Sequence, residues 1–168
     1  EASVTYDLSK DVSEIKLLTE SCAAHMISQG IFQWNEHYPS AEAFERDIQR
    51  GELYKLTQDG KIIGTIVLSN IKDEEYKDIK WSGDNGAHLY IHRLAVHPEY
   101  QGKGCARNLL DFADDFAQEQ GYSWMRLDTF SQNQRNQKFY LARGFKQVGS
   151  IYFPKQSVHP FYCYDLPI

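Results

Sequence analysis

Cysteine, methionine and proline are scarce in this sequence, with 3 Cys, 2 Met and 5 Pro among 168 residues. Cys22, Cys105 and Cys163 lie far apart and form no Cys-x-x-Cys pair. Neither a disulfide framework nor a cysteine zinc site is expected, and a reducing, cytoplasmic setting is. His88 and His92 would stand roughly 13 Å apart on a strand at ~3.3 Å per residue, too far to share an ion, so no metal is expected. Long apolar runs are missing as well. Nothing approaches the roughly 20 residues that span a bilayer, and no membrane association is expected. The first residues, Glu1-Ala2-Ser3-Val4-Thr5-Tyr6-Asp7, hold no basic patch followed by an apolar stretch, so no signal peptide is expected in the sequence as it stands. Positive charge is not in excess either. Lys+Arg 18 against Asp+Glu 23 leaves a net charge of −5, which excludes indiscriminate binding to nucleic-acid phosphates.

What is present suits a folded enzyme-sized domain. A hydrophobic fraction of 42% and a charged fraction of 24% are ordinary for a globular protein, and the length suits one domain over residues 1–168. Val4–Leu8 alternates as a strand, and Asp11 caps a helix whose Ile15, Leu18, Cys22 and Met26 fall on one side. Residues 31–39 form an aromatic-rich loop. Ser40 caps a second helix that carries Phe44 and Ile48 and closes at Gly51. Asp59-Gly60 between two apolar runs predicts a hairpin. Residues 72–86 are polar and acidic and are expected to be an exposed loop. A strand over 88–96, a strongly amphipathic helix over 104–120, a strand over 124–130 and a helix over 134–143 follow. Strands over 146–153 and 162–166 end the chain. The order β-α-α-β-β-β-α-β-α-β-β describes an α/β architecture, a mixed sheet covered by helices.

The most informative stretch is Leu94-Ala95-Val96-His97-Pro98-Glu99-Tyr100-Gln101-Gly102-Lys103-Gly104-Cys105-Ala106-Arg107. A strand runs through a two-glycine turn straight into the strongest helix. The first N–H groups of a helix lack internal partners and sit at its positive end. Gly102 and Gly104 let phosphate oxygens approach them, and Lys103 and Arg107 add cations. The Walker pattern and the dinucleotide fingerprint are both absent.

Gln101-Gly102-Lys103-Gly104-Cys105-Ala106 resembles the Arg/Gln-x-x-Gly-x-Gly/Ala signature of the GNAT N-acetyltransferase superfamily, and the strand Leu94-Ala95-Val96-His97-Pro98 before it is similar to that family's. Asn133-Gln134-Arg135-Asn136-Gln137-Lys138-Phe139-Tyr140-Leu141-Ala142-Arg143-Gly144-Phe145 is similar to a second family motif, with Asn136 where a small residue is usual. The resemblance implies a mixed, mostly antiparallel central sheet flanked by helices and a bound acetyl-CoA. Its pyrophosphate would lie on Gln101, Gly102, Lys103, Gly104, Cys105, Ala106 and Arg107, with its pantetheine arm along Leu94, Ala95 and Val96. Asn133 and Asn136 are placed with the cofactor by the second motif.

Acetyl transfer to a primary amine, with a small molecule or amino acid favoured as acceptor, is then the expected activity, by direct attack in a ternary complex. Tyr140 is the expected acid for the departing thiolate. His88, Tyr90, His92 and Leu94 are expected on one strand face. This run resembles the arylalkylamine acetyltransferase branch, which places a histidine at His92 and another where Tyr90 stands. His92 is the expected base, with Glu36 the alternative. Cys105 opens the helix, where the dipole would lower a thiol pKa. It is read as a small filler, because the pyrophosphate belongs there. Trp34, Glu36 and Tyr38 are expected at the acceptor, with the acidic stretch Asp73–Asp84 drawing in a cationic amine, and Trp81 is read as an ordinary lid. A non-catalytic acyl-CoA-binding or sensing module and a protein or peptide N-acetyltransferase are the alternative functions. The aromatic C-terminal strand pair would suit a homodimer.

Overall fold

The computed structural model describes residues 4–35, 37–83 and 85–168, with the side chains of residues 4 and 5 excluded. Its element order reproduces the expected one. It comprises β1 (Val4–Leu8), α1 (Val12–Ser28), α2 (Ala41–Gln49), β2 (Leu53–Gln58), β3 (Lys61–Ser69), β4 (Ala87–Val96), α3 (Cys105–Gln120), β5 (Tyr122–Phe130), α4 (Gln134–Arg143), β6 (Lys146–Ile151) and β7 (Phe161–Pro167). Short 3₁₀ turns at Glu74–Asp78 and Pro98–Tyr100 are added to it. The strands hydrogen-bond in the order β1-β2-β3-β4-β5-β7-β6, a mixed sheet in which β4 and β5 are parallel. The chain falls into two compact units, Glu1–Leu68 with His92–Ala113, and Ser69–Ile91 with Asp114–Ile168.

In the first unit the local signals act as expected. The Asp11 carboxylate accepts the Ser13 N–H at 2.9 Å and Ser40 Oγ accepts the Ala43 N–H at 3.2 Å, which satisfies donors that each helix start leaves open. The β2–β3 hairpin turns on Asp59 (φ 51) and Gly60 (φ 80), the two left-handed residues that match the twist of paired strands. The helices bury their apolar faces in two clusters. Leu18, Cys22 and Ala23 of α1 pack with Trp34 and Ala95, while Ile15 packs with Phe44, Leu53 and Val67. Leu109, Leu110 and Ala113 of α3 are wholly buried.

In the second unit β5 pairs antiparallel with β7, and β7 with β6. Asn133 Oδ1 caps α4 by accepting the Asn136 N–H at 3.1 Å, and Gly144 (φ 105) ends the helix in the left-handed region that glycine favours. Most of the described residues over 72–86 are exposed, as expected, but one ring anchors the segment. Tyr76, in the 3₁₀ turn, is fully buried, its ring tilted against Tyr90 and edge-on to Trp81. Ser82 donates from both N–H and Oγ to the buried Asp165, at 2.6 and 2.9 Å. Aromatic side chains at long intervals dock this polar segment, a pattern that lacks the periodicity of a helix or strand.

Candidate functional site

In the first unit, β4 ends at Val96 and the chain enters the glycine turn. The Gln101 side chain donates to the Val96 carbonyl at 3.2 Å, which ties the two ends of the turn together. Gly102 (φ 76) and Gly104 (φ 84) are both left-handed. A Cβ on Gly102 would meet no atom within 4 Å, so this glycine serves the backbone conformation and leaves the outer side of the turn open. α3 begins at Cys105, with its first N–H groups lacking helical acceptors. Lys103 and Arg107 are exposed beside them, and the Lys103 ammonium sits 5.5 Å from the centre of the Tyr100 ring. Open backbone donors, a helix N-terminus and two cations fit a pyrophosphate. Cys105 departs from the dipole argument. Burial pushes its thiol pKa up, outweighing the opposing pull of Lys103.

β4 carries a feature that the alternating pattern hid. Arg93 has φ 50, a left-handed conformation that costs a non-glycine residue about 1–2 kcal/mol. Its guanidinium grips the buried Asp47 of α2 with two 2.7 Å bonds. Period-two alternation is interrupted at such a residue. Beyond it, Ala95 packs with α1. The Val96 carbonyl accepts from the Cys22 thiol at 3.2 Å as well as from Gln101, leaving it committed within the protein.

In the second unit Tyr140 is buried against Phe139, Phe145 and Tyr164, with ring centroids 5.5, 5.7 and 6.1 Å away. Burial and then the nearby Asp128 charge hold its phenol pKa well above the ordinary value. It therefore stays protonated at neutral pH, a donor in waiting. Asn133 is spent on capping α4, and Asn136 donates from Nδ2 to Thr129 Oγ1 at 3.3 Å. Both asparagines thus position the helix that carries Tyr140.

A cleft of about 630 Å³ opens in the same unit, lined by Tyr76, Trp81, Tyr90 and Arg126 together with Lys72 and Lys77. Arg126 is 3% exposed. It donates to the Tyr90 hydroxyl at 2.9 Å and the Gly83 carbonyl at 2.7 Å, with Trp81 stacked 4.5 Å from its guanidinium carbon. Trp81 packs on Tyr76, Tyr90 and Arg126, in keeping with its reading as an ordinary lid. The stretch Asp73–Asp84 contributes Tyr76, Lys77, Ile79 and Trp81 to this lining.

The remaining expected residues separate. Trp34 is 8% exposed and belongs to the core of the first unit, with Tyr38 packed against that cluster. Glu36 lies outside the described residues. Among the described residues no group of three or more His, Cys, Asp or Glu side chains is disposed to hold a metal, and no helix is long and apolar enough to cross a membrane.

A family model described as acetyltransferase (GNAT) family matches residues 19–145. The chain belongs to this family. A putative acetyltransferase of known structure from Staphylococcus aureus is 31% identical, with a TM-score of 0.74 over 97% of this chain and 98% of that one. An acetyltransferase of the GNAT family from Streptococcus agalactiae superposes with a TM-score of 0.79 at 22% identity over 98% of this chain and 95% of that one, a likeness of fold. Human N-acetyltransferase 8B is 29% identical over 93 residues, 55% of this chain. The match spans only 37% of that protein's length.

Sequence reasoning missed Asp47, Arg93, Tyr76, Arg126 and Asp128. Asp47 falls three residues after Phe44 on the buried side of α2, and a charge on an apolar helix face signals a buried partner. Arg126 and Asp128 alternate with Met125 and Leu127 along β5, and alternation alone does not say which polar side chains are buried.

Proposed function

We propose that the protein transfers the acetyl group of acetyl-CoA to a primary amine by direct attack in a ternary complex, with a small molecule or amino acid as acceptor. The observation that carries this reading is the glycine turn, whose left-handed Gly102 and Gly104 open the start of α3 beside Lys103 and Arg107. Acetyl-CoA supplies an acyl group activated as a thioester. Gln101 through Arg107 hold its pyrophosphate, and the backbone of Leu94 and Ala95, with the Val96 N–H, orients the pantetheine arm. Tyr140 donates to the departing thiolate, a role supported by its protonated state. A basic side chain must take the ammonium proton, and His92 is the group that sequence reasoning offers. The lysines and Arg126 of the cleft support an acceptor bearing a carboxylate.

The test is release of free CoA thiol from acetyl-CoA across amines, amino acids, polyamines and peptides. Turnover with amino acids or small amines is expected. Binding of CoA without thiol release for any amine would leave a sensing module, and turnover confined to peptides would refute the acceptor class.

A further inference from the structure

The cleft of the second unit carries charge of one sign. Lys72, Lys77 and Arg126 line it, and among the described residues no Asp or Glu does. That runs against the chain's net charge of −5. Two carboxylates of the neighbouring strands are turned to other donors. Asp128 of β5 accepts the Tyr76 hydroxyl, and Asp165 of β7 accepts the Ser82 N–H and Oγ. Lys77 shares its charge with Glu74 at 3.3 Å. Setting that pair aside leaves Lys72 and Arg126 as two positive charges on the lining.

Arg126 is built in rather than laid on. It is 3% exposed, and a buried guanidinium is costly unless it is firmly hydrogen-bonded. The Tyr90 hydroxyl and the Gly83 carbonyl accept from it, and the Trp81 ring stacks on it. These three groups are neutral, so they orient the guanidinium without cancelling its charge. The backbone that supplies two of them is itself held in place. Ser82 is tied to Asp165, the register partner of Arg126 across β5 and β7, and a Cβ on Gly83 would overlap the Trp124 ring. A cation fixed before any ligand arrives loses little conformational freedom on binding one.

We propose that the cleft selects an acceptor amine carrying two negative charges, as a phosphate monoester or a pair of carboxylates, an inference that rests on the acetyl-transfer reading and names its substrate class. A phosphate monoester carries about −1.5 to −2 at pH 7, which matches Lys72 and Arg126 together. A single carboxylate leaves one of those charges unbalanced, and a neutral amide leaves both. The cleft's volume of about 630 Å³ suits a small molecule, and a planar guanidinium fits an oxyanion of either kind.

Binding and turnover test this separately. In the ligand-free chain, ¹H–¹⁵N NMR follows the Trp81 indole, assigned with Trp81→Phe. Inorganic phosphate and malonate should each shift it with saturation, and acetate at matched ionic strength should bind about five- to tenfold more weakly, the worth of a second charge near a cation. Arg126→Gln should weaken phosphate binding by about tenfold or more. Should that variant fail to fold, Lys72→Glu with Lys77→Glu, made on exposed side chains, should do the same. Acetate binding within about twofold of phosphate, a charge-altered variant that binds phosphate like wild type, or phosphate shifts confined to Gln101–Arg107 overturns the inference. In thiol-release assays phosphoethanolamine should exceed ethanolamine, and aspartate should exceed asparagine, by about tenfold in kcat/KM; these arms separate the phosphate source from the dicarboxylate one. Equal rates within both pairs also overturn it. If phosphate binds at Trp81 and no amine releases thiol, the acetyl-transfer reading falls instead, while the anion site stands.

Discussion

Asp47→Ala tests whether the kink in β4 is held by the pair found there. The Asp47 side chain is 3% exposed and that of Arg93 18%, and both bonds between them are 2.7 Å long. Removing the carboxylate leaves a guanidinium stranded on the buried side of α2. Breaking a buried pair in this way costs about 3–5 kcal/mol. At about 2–4 °C per kcal/mol for a chain of this size, Tm should fall by roughly 6–20 °C. Arg93→Gly relieves the left-handed φ, worth about 1–2 kcal/mol, but strands the Asp47 carboxylate, which is 3% exposed, so it should also destabilise, by about 2–4 kcal/mol. The double variant should lose less than the sum of the two single losses, because it leaves no buried charge without its partner. Denaturant melts at constant slope read all three stabilities. Because Leu94 and Ala95 follow the kink directly, Asp47→Ala should also raise KM for acetyl-CoA. Additive losses in the double variant, or an Asp47→Ala melt within about 0.5 kcal/mol of wild type, would refute the reasoning.

Four further outcomes follow from the same structure. Gly104→Ala forces a side chain into φ 84 and places its methyl 3.0 Å from Arg107 Nη2; KM for acetyl-CoA should rise about tenfold while KM for the amine stays put. Tyr140→Phe should cut kcat by about a hundredfold without changing acetyl-CoA affinity, which isothermal titration can confirm. Burial lifts Cys22 from 9.0 to about 12 and raises Tyr76 and Tyr140 as well. A raised folded pKa gives stability that is complete below the unfolded value and lost as pH climbs through the folded one. Denaturation midpoints should therefore hold to about pH 9 and fall above it, with Cys22→Ala flattening the first part of that fall. Finally, an amino acid should show a higher kcat/KM than its amide, and Lys72→Glu with Lys77→Glu should erase the difference; equal rates for acid and amide would remove the cleft lysines from acceptor selection.

The fold was legible because its signals are local. Asp11 and Ser40 cap, Asp59-Gly60 turns, and Gly144 stops a helix, each through atoms within a few residues of itself. The glycine turn was legible for the same reason, since both its donors and its cations lie between Gln101 and Arg107. The reading failed wherever a residue's role depends on a partner far along the chain. Arg93 looked like one more alternating strand residue until Asp47, from another element, showed what bends the strand there. Tyr76 sat in a polar run whose composition argued for solvent, and its burial is set by Trp81, Tyr90 and Asp128. Charge follows the same rule. A count over residues 73–84 sums carboxylates and lysines alike, while the lining of the cleft takes Lys77, Tyr76 and Trp81 from that stretch. Coulombic selection acts over a Debye length of about 8–10 Å, so it depends on which side chains line a site rather than on the net charge of −5. The glycine turn can be read from sequence because its backbone donors and cations lie in one contiguous stretch. The cleft cannot, because its lining comes from a 3₁₀ turn and two strands that meet only in the folded chain.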